Sequence, residues 1–211
     1  MASHPHIRSV DILIIGGGIV GASVCRDAAL HGFEVLLTEQ GDFASGTSSR
    51  SSRLLHGGLR YLAQGHVGLV REASREKMIL SRIAPHLCDP LPFVFPVYRQ
   101  GNWPFWKLRI GVRIYDWLCG RHGLGHSSTL SVDQTQSAVP GLSVDNLTGA
   151  TRHFDAFTND ARLVIDTLLS AQLSGAEVRN YQRFVEATRQ DDVWHCVLED
   201  TASGTRSEIQ A

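Results

Sequence analysis

The sequence feature that most constrains the fold is an apolar run that stops at a cluster of glycines. The run is DILII, from Asp11 to Ile15, and GGGIVG follows it directly. Such a run is typical of a strand buried on both faces, as in a parallel sheet covered by helices. Residues 19–31 favour a helix that ends at Gly32, and FEVLLTE (33–39) predicts a second buried strand. Together they predict a β-α-β unit with parallel strands, because such crossovers are right-handed.

The glycine spacing inside this unit predicts a dinucleotide-binding turn. Gly16, Gly18 and Gly21 form the pattern G-x-G-x-x-G between the strand and the helix. The first glycine permits the tight turn, the second lets the backbone approach a pyrophosphate, and the third lets helix and strand pack closely. Glu39 ends the second strand, where a carboxylate binds ribose hydroxyls and disfavours the 2′-phosphate of NADP. This placement favours nucleotide binding over a merely structural glycine turn.

Residues 46–61, GTSSRSSRLLHGGLRY, concentrate hydrogen-bond donors around a glycine pair. A pyrophosphate is a dianion that one helix N-terminus rarely satisfies, so hydroxyls and N–H groups of this segment are expected to complete its shell. The hydroxyls concerned are those of Thr47, Ser48 and Ser49. Gly57 and Gly58 would let main chain approach a flat ring system, since no Cβ intervenes. The alternative is a solvated serine-rich loop, although the three leucines of the segment favour burial.

The composition restricts the class of protein. The chain of 211 residues has 43% hydrophobic and 19% charged residues, which is typical of an ordinary globular protein. Its net charge of −1 does not indicate the positive electrostatic potential with which proteins attract nucleic acid. Four widely spaced cysteines indicate reduced, mostly buried thiols in the cytoplasm rather than a zinc site. The sequence shows neither a signal peptide nor an apolar run long enough to span a bilayer, so any membrane contact is expected to be peripheral.

Several further elements are predicted along the chain. Residues 65–84 and 103–119 favour helices, and the apolar stripe of the first comprises Leu69, Ala73, Leu80, Ile83 and Ala84. A third helix is expected after a cap at Thr158 or Asn159, with Val164, Leu168 and Ala171 on its buried face and Gly175 at its end. Short strands are expected at 93–99, 178–187, 193–199 and 206–210, whereas 122–146 is expected to be mainly connection with one short helix.

The segment from DILIIGGG through HGGLRYL resembles the N-terminus of FAD-dependent, quinone-linked glycerol-3-phosphate dehydrogenases. The resemblance continues through VREASREKMILSRIAPHL, RIGVRIYDWL and FDAFTNDARLV, and so covers nearly the whole chain. The combination TSS-x-SS-x-x-x-HGG-x-RY is far more specific than the glycine motif. The resemblance implies an α/β fold, namely a Rossmann-like FAD-binding domain of the glutathione-reductase/D-amino-acid-oxidase type with the beginning of a substrate domain.

The resemblance also implies a set of site residues. The expected FAD contacts are Gly16, Gly18, Gly21, Glu39, Gln40, Thr47, Ser48, Ser49, Ser52, His56, Gly57 and Gly58. Arg60 and Tyr61 match positions near the substrate phosphate, which suits a guanidinium fork and a phenol. Arg53 replaces the usual lysine, and Phe184 is bulkier than the usual residue near the expected adenine contact. No metal site is predicted.

The implied reaction is hydride transfer from C2 of sn-glycerol 3-phosphate to the flavin, which gives dihydroxyacetone phosphate. His56 is the candidate catalytic base, because it is the motif's one side chain that titrates near neutral pH. A neutral His56 ring that hydrogen-bonds the flavin edge or the loop backbone would be a structural contact instead. Two further functions stay open, namely an FAD oxidoreductase for an amino acid or hydroxy acid and a non-catalytic nucleotide-binding remnant.

The family pattern extends beyond residue 211, so the chain is expected to be an incomplete N-terminal portion. The expected domains are residues 1–64 (FAD-binding β-α-β unit and flavin loop), 65–150 (an insertion in the substrate or cap region) and 151–211 (return to the FAD-binding domain). The expected partners are glycerol 3-phosphate, quinone and a second copy in a homodimer, without nucleic acid. The expected location is cytoplasmic, with peripheral contact at the inner face of the membrane.

The helix predicted at 103–119 offers two interpretations. Trp103, Trp106, Ile110 and Trp117 share one face, and Lys107, Arg109 and Arg113 are interspersed. Tryptophans beside basic residues suit the plane of a membrane interface. A core helix with snorkelling arginines is the second interpretation.

Overall fold

A computed structural model describes residues 7–56, 61–62, 64–101, 104–119 and 124–211 of the chain. The strands are β1 (Arg8–Ser9), β2 (Ile12–Ile15), β3 (Val35–Thr38), β4 (Leu54–Leu55), β5 (Asp89–Tyr98), β6 (Ser128–Leu130), β7 (Leu147–Phe157), β8 (Glu177–Arg179), β9 (Gln182–Gln190), β10 (Val193–Asp200) and β11 (Arg206–Gln210). The α-helices are α1 (Ile19–Leu30), α2 (Val67–Ile83), α3 (Phe105–Cys119), α4 (Val132–Ala138) and α5 (Asp160–Leu173). Short 3₁₀ turns cover Thr47–Ser49 and Pro85–Leu87.

The chain divides into two compact units. The first unit contains the residues up to Ser52 together with Asn159–Ala211, and the second contains Arg53–Thr158. The first unit is therefore built from two stretches of sequence that the second unit separates.

The β-α-β unit predicted from the glycine motif is present in the first unit. Strands β2 and β3 pair in parallel, with Ile12 opposite Val35, and β3 pairs in parallel with β8. Between the paired strands, α1 spans Ile19–Leu30 and Gly32 follows it with φ +85°. The predicted β-α-β crossover and the end of its helix before Gly32 are confirmed.

The parallel sheet is covered on both faces, which explains its continuous apolar strands. Val35 and Leu37 of β3 pack with α1 and α5, whereas Leu36 packs in a second core against β10 and β11. Strands β1, β11, β10 and β9 form the sheet of that second layer. Phe184 of β9 packs against this core, so its bulk fills space between the sheets.

Helices α1 and α5 pack side by side on the other face, where the small side chains of α1 meet apolar side chains of α5. The contacting buried residues include Ala22, Cys25 and Ala29 of α1 and Val164, Leu168 and Ala171 of α5. The predicted inner face of α5 is therefore confirmed, and Asn159 caps the helix by accepting a hydrogen bond from the Arg162 N–H at 3.1 Å. Arg26 Nε also donates to Ser170 Oγ at 2.8 Å. The two helices thus form one packed layer.

The strand expected at 178–187 is interrupted. Strand β8 ends at Arg179 and β9 begins at Gln182, because the chain leaves the parallel sheet and enters the antiparallel one. Tyr181 takes φ +55° at this change of sheet. The strands expected at 193–199 and 206–210 are confirmed as β10 and β11.

The second unit is organised around β7, which the sequence analysis did not predict as a strand. It pairs antiparallel with β5 along one edge and with β4 and β6 along the other. The predicted strand at 93–99 is the end of a longer strand that starts at Asp89, and the predicted connection at 122–146 contains β6 and α4. Pro90, Pro92 and Pro96 lie in β5, an edge strand, where the missing N–H groups are tolerated.

The predicted apolar stripe of α2 is wrong. Leu69 and Ile83 are exposed, and the buried side chains of α2 are Val70, Ser74 and Lys77. Two of these three buried residues are polar, and Lys77 forms its hydrogen bonds with residues on other elements of the second unit.

Three of the four cysteines are described with their side chains, and all three are buried. Cys25, Cys88 and Cys196 are buried free thiols, and burial raises the pKa of each. They are therefore protonated and unreactive near neutral pH. Across the described part of the chain, every helix is too short or too polar to cross a bilayer.

Candidate functional site

The glycine turn joins the carboxyl end of β2 to the first turn of α1. Gly16 has φ +109°, a conformation that favours glycine, and donates its N–H to the Thr38 carbonyl of β3 at 2.8 Å. Gly18 is the N-cap of α1 and has no side chain with which to cap it. The turn therefore directs the helix N-terminus towards the end of the parallel sheet, where open α/β sheets bind ligands.

Two other glycines of the turn leave no space for a side chain. A Cβ on Gly21 would lie 2.0 Å from the Gly16 carbonyl oxygen. A Cβ on Gly17 would lie 2.6 Å from the Phe43 ring and 2.9 Å from Glu39 Cβ. The requirement at Gly17 was missed from the sequence, because G-x-G-x-x-G treats that position as variable and Phe43 comes from a distant loop.

Glu39 is held against the turn by two backbone donors. Its Oε2 accepts from the Gly17 N–H at 2.7 Å, and its Oε1 accepts from the Gly41 N–H at 2.9 Å. A carboxylate has about four acceptor positions, so lone pairs remain for hydroxyl donors. This fixed, partly buried carboxylate beside a glycine turn is the arrangement that recognises ribose hydroxyls.

The serine-rich segment meets the same turn. The Ile19 N–H, in the first turn of α1, donates to Ser48 Oγ at 3.0 Å, and the Ala44 N–H donates to the Gly17 carbonyl at 2.9 Å. Ser49 Oγ donates to the Ala44 carbonyl at 2.5 Å and so closes the loop on itself. Ser48 uses its oxygen as an acceptor here, which leaves its O–H as a donor for a ligand. The two glycine-bearing segments therefore lie against each other.

The electrostatics of the two neighbouring helix N-termini differ. The first turn of α1 contains no acidic residue, and its cap is a glycine. By contrast, α5 has a side-chain cap from Asn159 and an acidic residue, Asp160, in its first turn. Since a helix N-terminus carries about half a positive charge, α1 presents an uncompensated anion site and α5 does not.

These features fit the diphosphate and ribose of a dinucleotide. Gly21 packs against the Gly16 backbone and Gly17 against the Phe43 and Glu39 side chains. Glu39 supplies fixed acceptors, and α1 with Ser48 supplies donors. Gln40, Thr47 and Ser52 are exposed at the same loop and strand end. Their contacts with a cofactor remain predictions.

The other predicted site residues belong to the second unit or lie outside the described residues. His56 is exposed and directly follows β4, whose Leu55 pairs with Ala156. Tyr61 is half-buried in a short helical turn. Gly57, Gly58 and Arg60 lie outside the described residues.

A buried polar cluster in the second unit was also missed from the sequence. Lys77 Nζ lies 2.6 Å from Asp155 Oδ1, and the Tyr115 hydroxyl donates to the same oxygen at 2.7 Å. His153 Nε2 lies 3.6 Å from Asp155 Oδ2, and its ring stacks on Phe93 at 5.3 Å. Burial alone would raise the pKa of Asp155, but the His153 hydrogen bond, the Lys77 charge and the Tyr115 hydroxyl outweigh it and hold this pKa well below its usual range.

This cluster does not have the composition of a metal site. Within the described ranges, no three His, Cys, Asp or Glu side chains lie close enough to hold a metal ion. The carboxylate of Asp155 is instead neutralised by Lys77, and the cluster joins α2, α3 and β7.

Comparison with known proteins places these features in context. Residues 11–211 match the protein family described as "DAO: FAD dependent oxidoreductase". The chain is 42% identical over 184 residues to a glycerol-3-phosphate dehydrogenase of Synechocystis sp., a match that covers 86% of this chain and 33% of the relative. It is 39% identical over 204 residues to the D-erythritol 1-phosphate dehydrogenase of Brucella abortus, covering 97% of this chain and 40% of that relative.

A solved structure shares the fold. The glycerol-3-phosphate dehydrogenase of Bacillus halodurans, complexed with FAD, superposes with a TM-score of 0.71 at 28% identity. The match covers 96% of this chain and 33% of that structure. The chain thus spans between 26% and 34% of the length of the glycerol-3-phosphate dehydrogenases that it matches.

Proposed function

Because the chain belongs to the DAO family of FAD-dependent oxidoreductases, we propose that it forms the flavin-binding part of an enzyme that oxidises sn-glycerol 3-phosphate to dihydroxyacetone phosphate. The observation that carries this proposal is the Ser48–Ile19 contact, which joins the serine-rich flavin loop to the glycine turn. The identities of about 40% with glycerol-3-phosphate dehydrogenases support the substrate.

In this proposal the residues of the first unit hold FAD. The N–H groups at the start of α1 and the Ser48 hydroxyl bind the diphosphate, and Glu39 accepts hydrogen bonds from the ribose. Bound FAD supplies the acceptor for the hydride that leaves C2 of the substrate. Gln40, Thr47, Ser49 and Ser52 complete the cofactor contacts proposed for this unit. Gly57 and Gly58, which fall in the sequence range of the second unit, are proposed as flavin contacts.

In the second unit, the proposed roles concern the substrate. Arg60 and Tyr61 bind its phosphate, with the charge and hydroxyl that phosphate oxygens require. His56 accepts the proton of the C2 hydroxyl as the hydride leaves. Its exposure and its position at the end of β4 leave the imidazole accessible to a substrate.

The test is anaerobic mixing of the purified, FAD-loaded protein with glycerol 3-phosphate. We expect the yellow absorbance of oxidised flavin to bleach, and His56→Asn to slow the bleaching about 100-fold, the usual size of general-base catalysis. His31→Asn, at the exposed end of α1, is the matched control and should bleach at the normal rate. Flavin reduction in His56→Asn at the wild-type rate would show that His56 is not the catalytic base.

A substrate panel separates the competing functions. Erythritol 1-phosphate is included because the Brucella abortus relative is as similar to this chain as the glycerol-3-phosphate dehydrogenases are. Faster bleaching by erythritol 1-phosphate than by glycerol 3-phosphate would identify erythritol 1-phosphate as the better substrate. Bleaching only by an amino acid or a hydroxy acid would overturn the proposal that the substrate is a sugar-alcohol phosphate. A purified protein without flavin would indicate a non-catalytic remnant.

We also propose that electrons pass from the flavin to quinone at a membrane surface that α3 contacts. Trp106, Ile110 and Trp117 are 60%, 50% and 79% exposed, so this apolar face is not a core face of the second unit. Lys107, Arg109 and Arg113 are also exposed on α3. An exposed tryptophan face with basic neighbours suits binding in the plane of an anionic lipid surface.

Flotation with vesicles of anionic phospholipid tests this contact. We expect the protein to float with the vesicles and the Trp106→Ala/Trp117→Ala variant to lose most of that binding, since each ring contributes a large apolar area. Trp194→Ala is the control, because Trp194 is a half-exposed tryptophan on β10 of the first unit. A wild-type protein that stays entirely unbound would contradict the membrane proposal.

A further inference from the structure

A hydrogen bond ties the serine-rich loop to the start of α5. Ser51 Oγ donates to Oδ2 of Asp160, the first residue of that helix. The two residues are 109 positions apart in sequence. Neither was among the site residues expected from the motif or from the family resemblance.

The loop is therefore held at two points three residues apart. Ser48 accepts from the Ile19 N–H at the N-terminus of α1, and Ser51 donates to Asp160 at the N-terminus of α5. The helices themselves are held together by their buried apolar side chains and by the hydrogen bond from Arg26 to Ser170. A loop bonded to the N-termini of two packed helices keeps Ser48 in one place.

We propose that Asp160 is a positioning residue for the FAD diphosphate, acting through Ser51. By holding Ser51, its carboxylate keeps the 47–52 loop seated, so that the Ser48 hydroxyl stays beside the first N–H groups of α1. This inference rests on the proposed function, because it assigns a role towards FAD.

The test measures the FAD dissociation constant of Ser51→Ala, Asp160→Ala and the double variant, by the fluorescence change on flavin release. Each single variant should bind FAD about tenfold more weakly, the size of one charge-assisted hydrogen bond. The double variant should bind about as weakly as either single variant, because both remove the same link. Two controls should stay within about twofold of the wild type: Asp166→Ala on the same helix, and Ser203→Ala in the β10–β11 turn, where Ser203 bonds Asp200.

The variant Asp160→Asn separates positioning from a general loss of helix stability. The amide oxygen of Asp160→Asn can still accept from Ser51, so this variant should retain most of the FAD affinity. The thermal midpoint of the flavin-free Ser51→Ala protein should fall by no more than about 4 °C, since Ser51 is exposed and the substitution removes a surface hydrogen bond. Equal losses in Asp160→Asn and Asp160→Ala would instead indicate a helix-charge effect.

The outcomes distinguish this inference from the proposed function. A wild type that binds FAD, with unchanged affinity or additive losses in the variants, would overturn the role of Asp160 and leave the proposed function intact. A wild type and controls that bind no FAD would overturn both.

Discussion

Replacing Gly21 with alanine is expected to abolish measurable FAD binding and to lower the free energy of unfolding by about 3 kcal/mol. The new Cβ would lie 2.0 Å from the Gly16 carbonyl oxygen and 3.5 Å from Ile14 Cγ2, so α1 must move away from β2. That movement also displaces the Ile19 N–H from Ser48 and misaligns the donors for the diphosphate. Flavin fluorescence and denaturant unfolding measure the two effects.

Gly111→Ala is the matched control for this substitution. Gly111 lies inside α3, and a Cβ there meets no atom within 4 Å. Because alanine favours a helix more than glycine does, this variant should be up to about 1 kcal/mol more stable than the wild type. FAD binding by Gly21→Ala at wild-type strength would show that the first unit does not hold the cofactor as proposed.

Replacing Lys77 with methionine is expected to destabilise the protein by about 3 to 5 kcal/mol. Lys77 and Asp155 are each 5% exposed, so the substitution leaves a buried carboxylate whose cationic partner, 2.6 Å away in the wild type, is gone. The hydroxyl of Tyr115 would remain bonded to Asp155 but cannot neutralise its charge. Denaturant unfolding at neutral pH measures the loss.

Two comparisons identify the buried charge as the cause. Lys107→Met removes an exposed lysine of α3 and should change stability by less than about 1 kcal/mol. Lys77→Met/Asp155→Asn should be more stable than Lys77→Met alone, because the uncompensated charge is gone while Tyr115 keeps an acceptor. A double variant less stable than the single one would contradict this explanation.

The contribution of Asp155 to the free energy of unfolding depends on pH in a defined direction. Asp155 has a lowered pKa in the folded protein, so its contribution to stability is present above its unfolded pKa of about 3.9 and is lost as the pH falls below it. In Lys77→Met the charge and hydrogen bond of the lysine no longer lower this pKa, so we expect burial to outweigh the His153 and Tyr115 hydrogen bonds and the carboxyl to become neutral in mild acid. The stability difference between wild type and Lys77→Met should therefore shrink as the pH falls from 7 towards about 4.

Local patterns predicted the first unit well. Strands β2 and β3, helix α1 and its glycines follow from short-range rules about burial, turns and helix ends, and all of them are present. The inner face of α5 was predicted for the same reason, since Val164, Leu168 and Ala171 keep a helical spacing. Such features are encoded within about 15 residues of sequence, the length over which helix and strand periodicities are expressed.

Features that depend on distant partners were not predictable in this way. The buried face of α2 contains Lys77, whose burial is tolerable only because Asp155 and Tyr115 reach it from β7 and α3. Strand β7 carries His153 and Asp155, and without knowledge of their partners its sequence does not look like a central strand. The steric requirement at Gly17 and the Ser51–Asp160 bond likewise arise where separate segments meet.

The division of the first unit between two stretches of sequence has a consequence for biosynthesis. Strand β3 pairs with β8, and α1 packs on α5. The edge of β3 near residue 36 is therefore covered only after the ribosome has synthesised the residues near 177. A ribosome adds roughly 5 to 20 residues per second, so the nascent strand stays open for several seconds at least. Chaperone capture of ribosome-bound chains should therefore drop sharply once α5 and β8 have emerged from the exit tunnel.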